Sequence, residues 1–158
     1  MNAYIQEAGP SGQLSAVRQG DSSILLRIAD SAFFESGKAD VGPRAEVVLG
    51  NISAILSQYA ASISMIRIEG HADNIPISTG QFRSNRALST SRAVNVPARL
   101  VESSELSPDQ FSAVGCGEFH SATGNGTAQG QAKNRRVDFI INVVKEGIKG
   151  QIQPAVAE

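Results

Sequence analysis

Several residue types that define other classes of protein are scarce in this 158-residue chain, which has one cysteine, two histidines and no tryptophan. A single cysteine excludes an intrachain disulfide, and Cys116, His71 and His120 do not show the spacing of a metal site. We therefore predict no metal and no cofactor. The chain also lacks a signal-peptide pattern and any apolar run of about 18 or more residues, so no transmembrane helix is predicted within it. A net charge of −1, with both signs interspersed, disfavours binding to nucleic acid or an anionic membrane.

What is present fits one folded domain with polar ends, since 41% of the residues are hydrophobic and 18% are charged. Residues 1–20 are predicted to form a linker, with Leu14 and Val17 as the only hint of a short helix. Residues 21–145 contain the periodic segments and are predicted to form the domain. Residues 146–158 show no pattern, which is typical of a flexible tail.

Strands and helices are predicted to alternate along the domain. Alternating or dense apolar residues predict strands at 23–29, 66–69, 111–117 and 137–144, and apolar residues at helical spacing predict helices at 42–60, 84–102 and 129–134. The last strand is nearly all apolar and is therefore expected to be central. This order predicts an α/β fold, a two-layer sandwich with helices on one face of a mixed sheet. Phe33 and Phe34 are expected in the core, and Pro97 is expected to kink the second helix or to end it early.

A polar stripe on the second helix points to a binding site. Asn85, Ser89 and Arg92 are four and three residues apart, so at roughly 100° per residue they lie on one face. Asp73 follows within a few residues of the end of the preceding strand. A carboxylate facing an amide, a hydroxyl and a guanidinium would suit a zwitterionic ligand. An Asp73–Arg92 salt bridge without a ligand is the alternative.

The motifs around this stripe resemble those of a known family. They are His71-Ala72-Asp73, Asn85-Arg86-Ala87-Leu88-Ser89, Arg92-Ala93 and Asn134-Arg135-Arg136-Val137. Together they resemble the OmpA-like peptidoglycan-binding domain over about residues 24–144. The variant Asp73-Asn74-Ile75-Pro76-Ile77, followed by Phe82, resembles one branch of that family, the periplasmic domains of flagellar stator B subunits (MotB or PomB). Ala72, Cys116, Gln131 and Pro97 depart from the common family pattern.

The resemblance implies roles for individual residues. Asp73 would take the ammonium and Arg92 the carboxylate of a diaminopimelate head group in the peptidoglycan stem peptide. Asn85 and Ser89 would donate to the stem-peptide backbone, although Asn85 could instead cap the helix. Arg135 is the candidate for the pocket, with Arg136 structural, unless both are solvated basic residues. His71 is expected to be a hydrogen-bonded structural residue.

The function implied by the resemblance is non-catalytic anchoring of a flagellar stator to the cell wall. The partners implied are the stator A subunit (MotA or PomA), reached through a membrane segment outside this chain, and a second B subunit in a homodimer. The chain would then be a periplasmic domain of an inner-membrane protein. Another OmpA-like anchor, of a lipoprotein or a secretion system, is the alternative. A wall hydrolase using Glu69 and Asp73 is disfavoured, because no arrangement of catalytic carboxylates or nucleophile and base is found.

Overall fold

The computed structural model describes residues 14–19, 22–43, 45–77 and 79–144, which form five strands and three α-helices. The elements are β1 (Leu14–Gln19), β2 (Ser23–Ala29), α1 (Ala45–Gln58), β3 (Ile63–His71), α2 (Asn85–Ser103), β4 (Phe111–Gly117), α3 (Ala128–Asn134) and β5 (Arg136–Val143). Single turns of 3-10 helix lie at Asp30–Ala32, Ala60–Ser62 and Pro108–Gln110. None of the helices in these ranges has the length and apolarity needed to cross a membrane.

The strands form one mixed sheet in the order β1-β2-β5-β3-β4. Only β3 and β4 are parallel, and the other neighbouring strands are antiparallel. The predicted α/β sandwich is confirmed, and so is the central position of β5, which pairs with both β2 and β3. Because β2 and β3 point the same way, the loops that leave their carboxyl ends meet at one end of the sheet.

The first strand corrects the prediction for the start of the chain. Residues 1–20 were expected to be a linker with a hint of helix, but Leu14–Gln19 pairs antiparallel with β2, from Leu14 opposite Ile28 to Gln19 opposite Ser23. A short segment of mixed polarity has weak preferences of its own, and the unpaired edge of β2 offers it a complete ladder of backbone partners. The predictions for residues 1–13 and for the tail at 146–158 fall outside the described residues.

The hydrophobic core fills the space between the sheet and the helices. Its largest fully buried side chains include Ile66 and Ile68 of β3, Phe139 of β5, Ile52 of α1 and Val96 of α2. The expected burial of Phe33 and Phe34 after β2 is also confirmed. These rings close the core at the end of the sheet where the strands lead into the loops.

The second helix begins and continues as the sequence indicated. Ser84 is its N-cap, and the Ser84 hydroxyl accepts the Ala87 N–H at 3.0 Å. Pro97 lies inside the helix and does not end it, so the alternative of an early stop is wrong. Leu100, one turn later, is fully buried in the core, and this packing holds the helix together beyond the missing proline N–H.

Two glycines allow α2 to lie unusually close to the sheet. Gly70 of β3 and Gly115 of β4 are opposite each other in the register. A β-carbon at Gly70 would overlap the Ser89 carbonyl oxygen, and one at Gly115 would overlap the Thr90 side chain. The glycines therefore set the height of α2 above the end of β3, and with it the height of the predicted polar stripe.

A candidate ligand-binding cleft

A cleft of about 500 Å³ opens at the carboxyl ends of β2 and β3. Its charged lining residues are Asp30, Asp73, Arg92 and Arg135. Apolar and amide side chains complete the wall, among them Phe34, Ile75, Pro76, Ile77, Asn85 and Leu88. The cleft therefore presents two carboxylates and two guanidinium groups beside a partly apolar wall.

Asp73 and Arg135 form one of the two ion pairs in the cleft. The Arg135 Nη1 donates to Asp73 Oδ2 at 2.5 Å, and the other carboxylate oxygen, Oδ1, accepts the Ile75 N–H at 3.1 Å. The Asp73 side chain is 8% exposed, whereas that of Arg135 is 40% exposed. The guanidinium thus covers the carboxylate from the solvent side and can move without opening the core.

Arg92 and Asp30 form the second ion pair, deeper in the cleft. The Arg92 Nη1 donates to Asp30 Oδ2 at 2.6 Å. Its Nε donates to the Lys38 carbonyl at 2.8 Å and its Nη2 to the Glu35 carbonyl at 3.2 Å, while the guanidinium lies 4.7 Å from the Phe34 ring centroid. Burial raises the pKa of Asp30, and the neighbouring Arg92 opposes that rise. Burial likewise lowers the pKa of Arg92, again opposed by Asp30.

The predicted pair, Asp73 and Arg92, lines one cleft without direct contact. Each binds a different partner among the described residues, so the alternative of an Asp73–Arg92 salt bridge does not occur. Much of the guanidinium of Arg92 is used to hold the loop after β2. A guanidinium carries five N–H donors, and three of the five in Arg92 have partners among the residues that the structure describes, which leaves two for a ligand at the cleft floor.

Asn85 and Ser89 are buried and bind backbone atoms. The Asn85 amide lines the cleft and donates to the carbonyls of Asp73, at 3.4 Å, and Ile75, at 3.0 Å. It therefore holds the loop that carries Asp73. The Ser89 hydroxyl donates to the Arg86 carbonyl and accepts the Gly117 N–H at 2.9 Å, and it does not line the cleft.

The other predicted residues lie on the opposite, open face of the sheet. Arg136 is buried there, and its Nε donates to Asp138 at 3.0 Å while its Nη2 donates to the His120 carbonyl. His71 binds Glu69 through Nε2 at 3.1 Å, and burial, followed by the charge of Arg136, lowers its pKa. Glu69 lies on this open face, so it does not share a cleft with Asp73 as a hydrolase pair would.

Asn134 is a supporting residue whose role the sequence did not reveal. It is completely buried, and its side-chain oxygen accepts the N–H groups of Ala122 and Thr123. Its amide donates to the Thr123 carbonyl and to Asn125 Oδ1, both at 2.9 Å. One side chain thereby holds the loop before α3 and fixes the end of α3, where Arg135 follows. The only local signal was its place in the motif before the two arginines.

Replacing Asn134 with alanine is expected to lower the free energy of unfolding by about 2–3 kcal/mol, because buried backbone groups lose their partners. Urea unfolding monitored by circular dichroism measures this loss. Asn142→Ala is the matched control, because Asn142 is exposed on β5 and should change stability by less than about 0.5 kcal/mol. Equal midpoints for the two variants would contradict the role assigned to Asn134.

With this geometry established, comparison with known proteins identifies the class. The chain matches the OmpA family over residues 33–135, which is more than half of its length. The chain therefore belongs to the OmpA family.

Within that class, the chain is similar to Motility protein B of Bacillus subtilis (strain 168), at 42% identity over 118 residues, covering 75% of this chain and 44% of that protein. The chain spans about half the length of the curated relatives it matches. Among solved structures, a MotB-like protein from Desulfovibrio vulgaris superposes with a TM-score of 0.78 at 27% identity, covering 90% of this chain and 88% of that chain. The cell wall anchor of the T6SS from Pseudomonas aeruginosa superposes with a TM-score of 0.75 at 26% identity, covering 83% of this chain and 88% of that chain. The resemblance drawn from the motifs is thus confirmed.

Proposed function

We propose that this domain binds peptidoglycan without covalent chemistry and anchors a flagellar stator to the cell wall. The observation that carries the proposal is the cleft at the end of the sheet, where Asp73, Arg92, Arg135 and Asp30 place charges of both signs around one small volume. Such a cleft suits an amino acid head group, which carries an ammonium and a carboxylate on one carbon. The diaminopimelate side chain of a stem peptide ends in that group.

The ligand would bind by exchanging ion pairs. Its ammonium takes the place of the Arg135 guanidinium at Asp73 Oδ2, and its carboxylate binds the displaced Arg135 and the two remaining N–H groups of Arg92. The exchange leaves no charge without a partner. A simple cation at Asp73 would leave Arg135 unpaired, and a simple anion at Arg135 would leave Asp73 unpaired. The cleft would therefore select a zwitterion over either ion alone.

The remaining lining residues would support this exchange. Asn85 holds the Asp73 loop with both of its amide N–H groups, so towards the stem-peptide backbone it would act as an acceptor through Oδ1 rather than as the predicted donor. Ser89 would act indirectly, since its hydroxyl joins α2 to the end of β4. Ile75 and Pro76 offer an apolar surface for the methylene chain of the ligand. No step makes or breaks a covalent bond.

For the whole protein, the 42% identity to a motility protein supports the stator B subunit over other anchors. The domain would then be periplasmic and dimeric, and the protein would assemble with a channel-forming stator A subunit. The similarity to a type VI secretion anchor supports the second candidate, an OmpA-like anchor of another machine with the same ligand. Introducing Asp73→Asn into the chromosomal gene distinguishes them, because loss of swimming is expected only for a stator.

Co-sedimentation with isolated peptidoglycan sacculi tests the binding itself. The wild-type chain is expected to pellet with sacculi that contain diaminopimelate, and Asp73→Asn and Arg135→Gln are each expected to weaken binding by about 10-fold or more, as for the loss of one charge-assisted contact. Sacculi with lysine in place of diaminopimelate should bind weakly, because lysine lacks the second carboxylate.

Matched substitutions remote from the cleft serve as controls. Asp109→Asn removes an exposed carboxylate just before β4, at the other end of the sheet. Arg99→Gln removes a guanidinium whose side chain is 34% exposed, close to the value for Arg135. Both controls should pellet like wild type. If the cleft variants fold and also pellet like wild type, the cleft is not the binding site.

A further inference from the structure

We infer that Glu69, His71 and Cys116 form a binding site for a divalent transition-metal ion of the zinc type, on the face of the sheet opposite the helices. The potential ligand atoms of these three residues all lie within 4.8 Å of one another. They provide an oxygen, a nitrogen and a sulfur, which are the donor atoms of protein zinc sites. This site lies on the other side of the sheet from the candidate ligand cleft and goes beyond the proposed anchoring function. It differs from the sequence-based prediction of no metal, because the three residues come together only through the pairing of two strands.

The strand register explains why the three side chains converge. Glu69 and His71 are two residues apart on β3, so both point to the open face. Cys116 lies on the parallel neighbour β4, where the pairing shifts from Gly70–Gly115 to His71–Gly117. Cys116 is the extra residue at this irregularity, and it lines the same open-face cleft as Glu69 and His71. The backbone pairing of β3 with β4 therefore brings all three groups together.

The distances are close to those that a tetrahedral ion requires. Metal–ligand bonds of about 2.0–2.3 Å place neighbouring ligand atoms about 3.3–3.7 Å apart. The His71 Nε2 and Glu69 Oε1 are already 3.1 Å apart, so an ion can replace the proton between them with little movement. Cys116 Sγ needs to approach by about 1 Å at most to complete three protein ligands, which leaves the fourth position for water.

The histidine is also not fully satisfied by the protein. His71 is 4% exposed, and its Nδ1 has no hydrogen-bond partner within the part of the chain that the structure describes. Binding of an ion at Nε2 would displace the contact with Glu69 and place the ring proton on Nδ1. Buried polar atoms without a partner are uncommon in folded proteins, and they are often found at functional positions.

Neighbouring charged groups hold the candidate ligands in place. A Glu69 carboxylate and a Cys116 thiolate together balance the charge of one Zn²⁺. The second Glu69 oxygen accepts from Arg67 at 2.9 Å, which orients the carboxylate, and the Asp138 carboxylate lies 3.7 Å from His71 Nε2. Asp138 in turn binds Arg27 and Arg136. The Arg67 contact resembles the hydrogen bonds that orient metal ligands in proteins.

Titration of the purified chain with Co²⁺ and Zn²⁺ tests the site directly. Wild type with Co²⁺ is expected to show thiolate-to-metal charge transfer in the near ultraviolet, reversed by one equivalent of Zn²⁺. Cys116→Ser should abolish that absorption. Glu69→Gln should weaken Zn²⁺ binding by more than the about 10–100-fold seen when only an outer hydrogen bond to a ligand is lost.

A control variant and a folding test accompany the metal titrations. Asp109→Asn, a carboxylate remote from the site, should bind both ions like wild type, and circular dichroism verifies that each variant is folded. If Cys116→Ser does not fold, thermal stabilisation of the wild type by equimolar Zn²⁺, absent with Mg²⁺, supplies the supporting result. The inference is overturned if the wild type gives no charge-transfer absorption or binds Zn²⁺ more weakly than about 100 μM.

Discussion

Gly70→Ala is expected to lower the free energy of unfolding by about 3 kcal/mol or more, at the upper end of the cost of overpacking a core. The added β-carbon would overlap the carbonyl oxygen of Ser89 and lie 3.0 Å from its carbonyl carbon. Both atoms belong to the backbone of α2, so no side-chain rotation can relieve the contact. The helix must instead move away from β3, and the core between them must open. Guanidinium unfolding followed by circular dichroism measures the effect.

A glycine in a helix, unlike Gly70 in strand β3, provides the control for this substitution. Gly50 lies in α1, and a β-carbon there would meet no atom within 4 Å. Gly50→Ala is therefore expected to stabilise the protein by about 0.5–1 kcal/mol, the usual gain for alanine over glycine inside a helix. The two substitutions should thus have opposite signs. Similar unfolding midpoints for Gly70→Ala and wild type would disprove the close approach of α2.

Arg92→Ala is expected to cost about 3–5 kcal/mol, the range for breaking a buried ion pair by removing one partner. The substitution leaves the Asp30 carboxylate without its cation and the Glu35 and Lys38 carbonyls without their donor. Because this loss is structural, weaker peptidoglycan binding by Arg92→Ala alone would not identify a ligand contact. Asp73 and Arg135 are therefore the better positions for the binding test.

A double substitution and the pH dependence separate the charge effect from lost packing. Asp30→Asn should recover part of the stability of Arg92→Ala, because the uncompensated charge is then absent. Without Arg92, the already raised pKa of Asp30 rises further above its ordinary value of 3.8. A carboxyl group with a raised folded-state pKa destabilises the fold as the pH rises through that pKa. The deficit of Arg92→Ala relative to wild type should therefore shrink as the pH is lowered from 7 towards 4. A deficit that is unchanged over this range would contradict the assignment.

Local patterns in the sequence were sufficient for most of the fold. The apolar alternation in 23–29 and 111–117 predicted β2 and β4 with their observed bounds, and Ser84 predicted the start of α2 within one residue. These features depend on neighbours along the chain, which periodicity and capping rules describe. The strand at 14–19 escaped prediction because its stability comes from pairing with β2, and its own sequence has no strong pattern.

The candidate site was only partly predictable, for a similar reason. Asp73, Asn85, Arg92 and Arg135 were each selected and do line the cleft, but their actual partners were not foreseen. Arg92 binds Asp30, which lies 62 residues away, and Asp73 binds Arg135 at the same sequence separation. No spacing rule connects residues that only the sheet order brings together. Ser89 matched the polar stripe, yet its hydroxyl is turned to Gly117 by the close approach of α2 to the sheet.

The antiparallel register of β1 also determines how the domain would carry a mechanical load. Leu14 lies opposite Ile28, and β2 leads from there to Asp30 in the cleft, so the chain enters the sheet at the same end where the cleft opens. A force applied between Leu14 and a ligand in the cleft would therefore act across one end of the sheet. The rest of the length of the strands would carry little tension. Force at Leu14 perpendicular to the strand axis would break the β1–β2 hydrogen bonds one after another. Force parallel to the strand axis would instead load all of these hydrogen bonds at once. The direction of the pull would therefore decide whether β1 separates from β2 before the ligand leaves the cleft.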